Sequence, residues 1–253
     1  MNNIVSDNEP LVSIITVVFN GEKYFEQTIL SVIKQSYKNI EYIVVDGGST
    51  DGTLDLIEKY KNHISQWVSE PDDGLYDAMN KGIGLAKGEL IGMINSDDWY
   101  ELDAVSKMVE AYLSNQDKTI FHADRIDIDS EGNRNVRKFN PSALKLKYYG
   151  MTYNHPSMFI SKHEYKKHLY NTRLNSLSDY QFILEAFLVH PDKIHYIESP
   201  IVNYRLAGIS AQTSKWQSAK EAFEARKQAG MNIFQRISAF LFSSLVRFYY
   251  FLK

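Results

Sequence analysis

The sequence predicts an α/β protein with a single main domain, built on a mostly parallel central sheet flanked by helices, and a C-terminal helical extension. Short apolar, β-branched segments alternate with segments of helical periodicity through the first half of the chain. The connections between them are short, which favours parallel strands covered by helices on both faces. The chain has 253 residues, which is enough for one domain with a substantial core.

Four strand and helix pairs are predicted in the first half. The strands are expected at 11–19, 40–45, 66–68 and 89–95, and the helices at 22–35, 51–62, 75–87 and 101–114. The segment 11–19 is almost wholly apolar, as expected of a strand that is buried on both faces. In such sheets, ligands bind at the carboxyl ends of the strands.

The alternation changes after residue 119. A hairpin is predicted at 119–129 and 135–139, a short strand at 157–160, a helix at 178–190, and strands at 194–196 and 201–204 on either side of Pro200. Ser178 and Gln181 have the spacing of a capping box at the start of the helix at 178–190. Helices at 214–228 and 232–252 form the extension, so we expect one domain over 1–208 and an appendage over 209–253.

Composition excludes several classes of protein. The chain has no cysteine, which excludes a disulfide scaffold, a cysteine-ligated zinc site and a cysteine nucleophile. A net charge of −3 argues against a polycation that binds nucleic acid. The segment 1–10 is polar and no apolar run reaches about 20 residues, so neither a signal peptide nor an ordinary membrane span is expected. A cytoplasmic location is therefore expected.

Polar residues follow three of the predicted strands. They are Phe-Asn-Gly-Glu at 19–22, Asp-Gly-Gly-Ser-Thr-Asp-Gly-Thr at 46–53 and Asn-Ser-Asp-Asp at 95–98. In a parallel sheet these segments share one edge, where at least four carboxylates would converge. A divalent cation such as Mg²⁺ or Mn²⁺ would neutralise them, and such ions commonly complete their coordination with substrate phosphates. Asp51 and Asp98 also stand where each could simply cap the following helix.

Five motifs, in this order and spacing, carry a resemblance to a known family. They are Thr-Val-Val-Phe-Asn at 16–20, Ser-Val-Ile-Lys-Gln at 31–35, the Asp-Gly-Gly-Ser-Thr-Asp-Gly-Thr loop at 46–53, Asn-Lys-Gly at 80–82 with Ala-Lys-Gly at 86–88, and Ser-Asp-Asp at 96–98. Together they resemble a family 2 glycosyltransferase of the GT-A fold, a Rossmann-like domain, of the bacterial polysaccharide-biosynthesis type. The match is dense over 11–110 and looser to about 207. It implies a nucleotide-binding half at 11–115 and an acceptor-binding half at 116–208.

The resemblance implies roles for individual donor-site residues. Asp46 would accept a hydrogen bond from the pyrimidine ring, Asp97 would contact the ribose or sugar, and Asp98 would bind the metal that bridges the diphosphate. The other implied donor-site residues are Thr16, Val18 and Phe19 against the nucleoside, with Glu22, Asp51, Asp73, Gly74, Tyr76, Asn80 and Ser96 around the pocket. Two positions depart from the family pattern, because Gly47 replaces a frequent second Asp and Phe19 replaces a Tyr.

The resemblance also implies an inverting reaction that needs a base in the second half. Asp179 occupies the matching position, although an acid in the first turn of a helix also interacts favourably with the helix dipole. Arg205 is a candidate to reach the diphosphate from a loop, or is a surface cation. His155 resembles a residue near the acceptor pocket, although a lone histidine is more often structural.

The C-terminal segment is basic and amphipathic. Residues 209–253 carry seven Lys or Arg against two Glu, whereas the rest of the chain carries 21 basic and 29 acidic residues. One helical face collects apolar side chains, and a narrow polar strip lies opposite. The face contains Phe234, Ile237, Leu241, Leu245, Phe248 and Leu252, widened by Phe242, Val246 and Tyr249, and the strip contains Arg236, Ser243 and Arg247. This pattern favours contact with the anionic surface of a membrane, with packing on the domain or on a partner chain as the alternative.

The sequence therefore predicts a metal-dependent glycosyltransferase that uses Mn²⁺ or Mg²⁺ and a nucleotide sugar, most simply a UDP-sugar. The resemblance implies transfer of a hexosyl or N-acetylhexosaminyl group to a polysaccharide or lipid-linked oligosaccharide of the cell envelope, at the cytoplasmic face of the inner membrane. An oligomer is compatible with the sequence. Two alternatives remain at this point, a nucleotidyltransferase and a non-catalytic nucleotide-sugar-binding subunit.

Overall fold

The computed structural model describes residues 9–206 and 215–251. The strands are β1 (Val12–Val18), β2 (Ile40–Asp46), β3 (Gln66–Ser69), β4 (Leu90–Asn95), β5 (Trp99–Tyr100), β6 (Ile120–Ile128), β7 (Arg134–Arg137), β8 (Phe159–Ser161) and β9 (Ile194–Arg205). The helices are α1 (Phe25–Ile33), α2 (Thr53–Tyr60), α3 (Leu75–Leu85), α4 (Ala104–Ser114), α5 (Ala143–Tyr148), α6 (Lys162–Tyr165), α7 (Ser178–Val189), α8 (Lys215–Gln228) and α9 (Ile233–Phe251). The predicted alternation of strands and helices in the first half is confirmed.

The strands form one mixed sheet in the order β3-β2-β1-β4-β8-β6-β9-β5, with β7 paired to β6. β1 pairs with β2 and β4 in parallel, and β2 pairs with β3 in parallel, as the sequence predicts. The second half adds antiparallel pairs, since β8 lies between β4 and β6 and runs opposite to both. The α/β fold with helices on both faces is confirmed, and so is the predicted hairpin, which is formed by β6 and β7. The insertion of β8 as an antiparallel strand between β4 and β6 was not predicted.

The core lies on both faces of the sheet because β1 is buried along its whole length. Ile15 and Val17 pack with α3 and α7 on one face. Ile14 and Val18 pack with α1, α2 and α4 on the other. Alternating side chains of one apolar strand therefore support two layers of helices.

Two local predictions in the second half are corrected by the structure. β9 is continuous through Pro200, because its register with β6 shifts between Ala123 and Arg125 and so accommodates a residue without an N–H. Ser178 does not form a capping box with Gln181. Its Oγ instead accepts a hydrogen bond from the backbone N–H of Asn171, which holds the loop before α7.

The C-terminal helices pack on the main domain, with α8 against α7 and α9 against α5. α5, which the sequence did not predict, therefore forms part of the support for the extension. Residues 1–8, the expected boundary at 208 and Leu252 lie outside the described residues, as do the side chains of 247–251. The division into domain and appendage stays a prediction.

Candidate active site

The carboxyl ends of the parallel strands lie side by side. Val18 is level with Asp46 of β2, Val17 is level with Asn95 of β4, and Asp46 is level with Ser69 of β3. The polar segments that follow these strands therefore meet at one edge of the sheet, as the sequence predicts. A cavity of about 320 Å³ lies at the start of β6, and none of the predicted site residues lines it.

Residues 20–22 and 49–53, from two of the polar segments, are joined by a hydrogen-bond network. Its hydrogen bonds run from Asn20 N–H to Ser49 Oγ (2.7 Å), Thr50 N–H to Asn20 Oδ1 (2.8 Å), Gly21 N–H to Thr53 Oγ1 (2.9 Å), Glu22 N–H to Asp51 Oδ2 (3.1 Å) and Gly52 N–H to Glu22 Oε2 (3.1 Å). Asn20 adopts a φ of 50°, which brings its side chain back towards the second loop. Glu22 and Asp51 are thus engaged in holding the two loops together.

Asp46 is fully buried at the end of β2. Its carboxylate accepts hydrogen bonds from the N–H groups of Gly48 and Ser49, from the Ser49 hydroxyl, and from the Ser69 hydroxyl at 2.6 Å. Thr16 and Val18 are also buried, in the interior of β1. In this structure these three predicted donor-site residues shape the loop and the core.

Phe19 is the predicted nucleoside-packing residue that reaches the surface, with 57% of its area exposed. It lies beside Gly47, where an added Cβ would be 3.5 Å from the Phe19 ring. The same Cβ would be 2.5 Å from Oδ2 of Asp72. Sequence reasoning did not select Asp72, because no local pattern shows that the loop after β3 returns to the end of β2.

Hydrogen bonds from α1 hold the segment 95–98 in place. The hydroxyl of Thr28 donates to the carbonyl oxygens of Ser96 (2.9 Å) and Asp98 (2.6 Å). Ser31 and Gln35, the polar ends of the Ser-Val-Ile-Lys-Gln motif, accept from the N–H groups that follow this segment. That motif therefore fixes the position of the acidic turn, a role the sequence did not reveal.

Asp98 is 1% exposed and is placed among polar partners. Its oxygens accept from the backbone N–H of Arg205 (3.0 Å) and from the Asn95 amide (3.3 Å). Burial, together with the neighbouring charge of Asp97, raises the pKa of Asp98 to about 8. Burial also raises the pKa of Asp97, and the nearby Arg205 partly offsets the rise.

The guanidinium of Arg205 stacks between two aromatic rings. Its Cζ lies 4.2 Å from the centroid of the Tyr24 ring and 4.6 Å from that of Trp99. One amino group donates to the side chain of Gln27. The structure thus places this cation close enough to Asp97 for its charge to lower the pKa of that carboxyl group.

The acidic turn fits a divalent cation that a substrate completes. Among the described residues no cluster of three or more His, Asp or Glu could hold a metal ion alone. Asp97 and Asp98 supply two adjacent carboxyl groups whose pKa values are raised mainly by burial, which disfavours their charged forms until a cation is bound. One or two carboxylates with phosphate oxygens is the ligand set that Mg²⁺ commonly takes.

A second cluster surrounds Asp179 in the first turn of α7. Oδ1 of Asp179 accepts from the hydroxyl of Tyr76 at 2.9 Å and from the N–H of Tyr180 at 2.8 Å. Oδ2 accepts no hydrogen bond from any described residue. Two donors therefore hold one oxygen of this carboxylate in place.

The rest of this cluster is built around Tyr170. Its hydroxyl lies 3.0 Å from Nε2 of His155, and its backbone N–H and C=O bond the side chain of Asn80 at 3.0 and 2.8 Å. Burial lowers the pKa of His155, and the charge of Asp179 partly offsets that effect. His155 thus lies close enough to sense Asp179, whereas Asn80 is engaged in fixing the loop at Tyr170.

Asp73 and Gly74 form the exposed turn that begins α3. The N–H of Asp73 donates to Asp77 at 3.1 Å, and Gly74 has a φ of 103° that favours glycine. This turn joins the loop beside Gly47 to the helix that carries Tyr76. The turn therefore connects the polar loops at the strand ends to the cluster around Asp179, through the bond between Tyr76 and Asp179.

Comparison with known proteins agrees with this arrangement. Residues 13–169, more than half of the chain, match the sequence model of the family described as Glycosyl transferase family 2. An uncharacterized glycosyltransferase of Haemophilus influenzae is 28% identical over 84% of this chain and 86% of its own length. The chondroitin synthase of Escherichia coli is 29% identical over 84% of this chain and 31% of its own length.

Solved structures share the fold at low identity. S. aureus TarS in complex with UDP-GlcNAc superposes with a TM-score of 0.69 at 17% identity, covering 92% of this chain and 71% of that one. The mannosyltransferase PcManGT from Pyrobaculum calidifontis, in complex with GDP-Man and Mn²⁺, gives 0.65 at 15% identity, covering 94% and 70%. The match of the family model over residues 13–169 shows that the chain belongs to glycosyl transferase family 2. It is a glycosyltransferase with the GT-A fold.

Proposed function

We propose that the protein is an inverting, metal-dependent enzyme that transfers a hexosyl or N-acetylhexosaminyl group from a UDP-sugar to a hydroxyl of a polysaccharide or lipid-linked oligosaccharide. The observation that carries this proposal is Asp179, whose Oδ1 is anchored by Tyr76 while Oδ2 is unpartnered among the described residues. It is supported by the similarity to a chondroitin synthase and to structures that contain UDP-GlcNAc or GDP-Man with Mn²⁺.

The donor would lie along the carboxyl edge of the parallel strands. The nucleoside packs against Phe19, and the ribose and sugar lie near Asp97. The diphosphate lies between Asp98 and the stacked guanidinium of Arg205. Asp98 would hold Mn²⁺ or Mg²⁺, and the ion when bound would supply a Lewis acid that stabilises the charge of the leaving diphosphate.

The transfer itself would use Asp179 as the general base. Oδ2 of Asp179 takes the proton of the acceptor hydroxyl while the oxygen of that hydroxyl attacks the anomeric carbon of the sugar. A carbon–oxygen bond forms to the acceptor as the bond to the diphosphate breaks on the opposite face, so UDP leaves and the configuration inverts. Tyr76 keeps the carboxylate oriented during this step.

The substitution Asp179→Asn tests this proposal against the alternative of a non-catalytic binding subunit. We expect sugar transfer and donor hydrolysis to fall about 10²- to 10⁴-fold, the usual contribution of a general base, while the Kd for UDP stays within about twofold. Asp192→Asn, at an exposed carboxylate after α7, is the matched control and should leave both unchanged. Equal loss of turnover and UDP binding would contradict the role of Asp179, and nucleotide transfer from UTP would favour a nucleotidyltransferase.

The extension supports a second part of the proposal, that the enzyme docks on an anionic membrane at the cytoplasmic face of the inner membrane. The inward side of α9 is small or polar, with Ala239 and Ser243 buried, whereas Phe234 is 78% and Leu241 56% exposed. Trp216 of α8 is 76% exposed at the edge of the groove between the two helices. Among the described residues no helix is long and apolar enough to cross a membrane.

The charge of this surface favours anionic lipid as its occupant. Lys220 and Lys227 are exposed on α8. Of the two acidic residues of the extension, Glu221 is buried, and its carboxylate accepts hydrogen bonds from the N–H and the hydroxyl of Ser176. Glu224 is partly exposed and pairs with Lys227 at 3.5 Å, which leaves Lys220 as a positive charge beside the apolar face of α8 and α9. A cation beside an apolar face suits a helix that lies in a membrane interface.

Vesicle sedimentation tests this docking in the full chain. We expect binding to phosphatidylcholine vesicles that contain phosphatidylglycerol, and loss of that binding in the double variant Phe234→Ser/Leu241→Ser. Leu102→Ser, at a 63% exposed leucine before α4, should bind as the wild type does. Unchanged sedimentation of the double variant would contradict membrane docking, and its conversion of a dimer to a monomer would indicate a second copy of the chain instead.

A further inference from the structure

The end of β2 carries a carboxylate that comes from another part of the chain. A Cβ placed on Gly47 would lie 2.5 Å from Oδ2 of Asp72 and 3.3 Å from its Cγ. Real side chains do not approach so closely, so Asp72 fills the space that a side chain at position 47 would take. The backbone of Gly47 is not among those with positive φ, so a side chain at this position would meet the carboxylate of Asp72 and would not strain the backbone.

The two oxygens of Asp72 have different surroundings. Oδ1 accepts from the backbone N–H of Gly74 at 3.0 Å, which fixes the side chain within its own turn. Oδ2 accepts no hydrogen bond from the described residues and is directed towards Gly47, next to the exposed ring of Phe19. Asp46, the carboxylate that the sequence assigns to the nucleobase, has its oxygens engaged by Gly48, Ser49 and Ser69.

We propose that Asp72 is a specificity-determining residue that accepts an N–H from the nucleobase of the donor, in the place that a side chain at position 47 would otherwise occupy. This inference rests on the proposed use of a nucleotide sugar. A carboxylate oxygen beside an aromatic ring suits a base that presents an imide N–H, such as uracil at N3. Cytosine presents an acceptor at the same position, so Asp72 selects UDP over CDP.

An exchange of the carboxylate between the two positions tests the inference. The Kd values of UDP, CDP and pyrophosphate would be measured for the wild type, Asp72→Ala, Gly47→Asp and Gly47→Asp/Asp72→Ala. Loss of a charge-assisted hydrogen bond should weaken UDP binding about tenfold or more in Asp72→Ala, with CDP and pyrophosphate nearly unchanged. Gly47→Asp alone should also weaken UDP binding, because two carboxylates then compete for one space.

The double variant distinguishes contact with the base from support of the loop. If the carboxylate reads the base, Gly47→Asp/Asp72→Ala should recover UDP binding to within about threefold of the wild type, as expected for two coupled sites. Failure to recover, or an equal loss of all three ligands in Asp72→Ala, would show that Asp72 only holds the Gly74 turn and would overturn the inference. A wild type that binds neither nucleotide would instead overturn the proposed function on which it rests.

Discussion

Removal of the Tyr76 hydroxyl should slow sugar transfer without weakening donor binding. That hydroxyl donates to Oδ1 of Asp179 at 2.9 Å from a side chain that is 4% exposed. Burial and the charge of Asp179 raise the pKa of Tyr76 well above its usual value, so it stays a donor. Tyr76→Phe preserves the ring, which packs against Tyr170 at 5.5 Å between centroids.

The magnitude follows from the kind of bond that is lost. A hydrogen bond to a charged group contributes about 1.5–3 kcal/mol, which corresponds to a fall in kcat of about 10- to 100-fold if it orients the base in the transition state. UDP release would be measured for the wild type, Tyr76→Phe, Asp179→Asn and the double variant. The double variant should be no slower than Asp179→Asn, because Tyr76 acts through Asp179.

Tyr165→Phe is the matched control for this prediction. Tyr165 is another buried tyrosine of the cluster, and its hydroxyl lies 3.0 Å from that of Tyr170 without contacting Asp179. The kcat of Tyr165→Phe should stay within about twofold of the wild type, because the deleted hydroxyl forms a hydrogen bond only with another hydroxyl. A kcat of Tyr76→Phe within twofold of the wild type, or additive losses in the double variant, would refute the orienting role.

Three further predictions concern the stability of the fold and the side chain of Arg205. Burial lowers the pKa of His122 to about 3, whereas the same side chain has a pKa of about 6.5 in the unfolded chain. The unfolded state therefore binds a proton first as the pH falls, and the free energy of unfolding should drop by about 2 kcal/mol from pH 7 to 5. Urea unfolding of His122→Phe should not show this drop. Gly92→Ala places a Cβ 2.7 Å from the Phe159 ring and should lower the free energy of unfolding by about 1–3 kcal/mol. Adding Phe159→Leu should restore part of that loss, and an unchanged unfolding midpoint in Gly92→Ala would contradict the prediction. Arg205→Lys loses the planar stacking on two rings and should weaken UDP binding about tenfold, whereas equal affinity would show that point charge alone suffices.

The first half of the fold is predictable because its signals are local. β1 is buried along its whole length and is apolar at nearly every position, which is the pattern of a central parallel strand. β5 has two residues and α5 has six, which is too short for periodicity to be visible. The path of β9 through Pro200 depends on a register shift in β6, and no local pattern in β9 encodes it.

The candidate site was predictable in its position more than in its contacts. Carboxylates after consecutive parallel strands must share an edge, and the structure places Asp46, Asp97 and Asp98 there. The proximity of Asp72 to Gly47 joins segments 25 positions apart and depends on how two loops fold over the edge. Tertiary contacts of this kind decide which carboxylate is free to meet a ligand.

Calorimetry of UDP binding tests the central claim most directly, since it asks whether a nucleotide diphosphate and a cation bind together at Asp98. The wild type should bind UDP in the micromolar range with Mn²⁺, and EDTA should abolish most of that binding. Asp98→Ala should resemble the EDTA sample, and Asp98→Asn, which keeps an acceptor for the Arg205 N–H, should do the same because it lacks the charge. UDP binding of equal strength with Mn²⁺, with EDTA and in both variants would contradict a metal-dependent donor site at this turn.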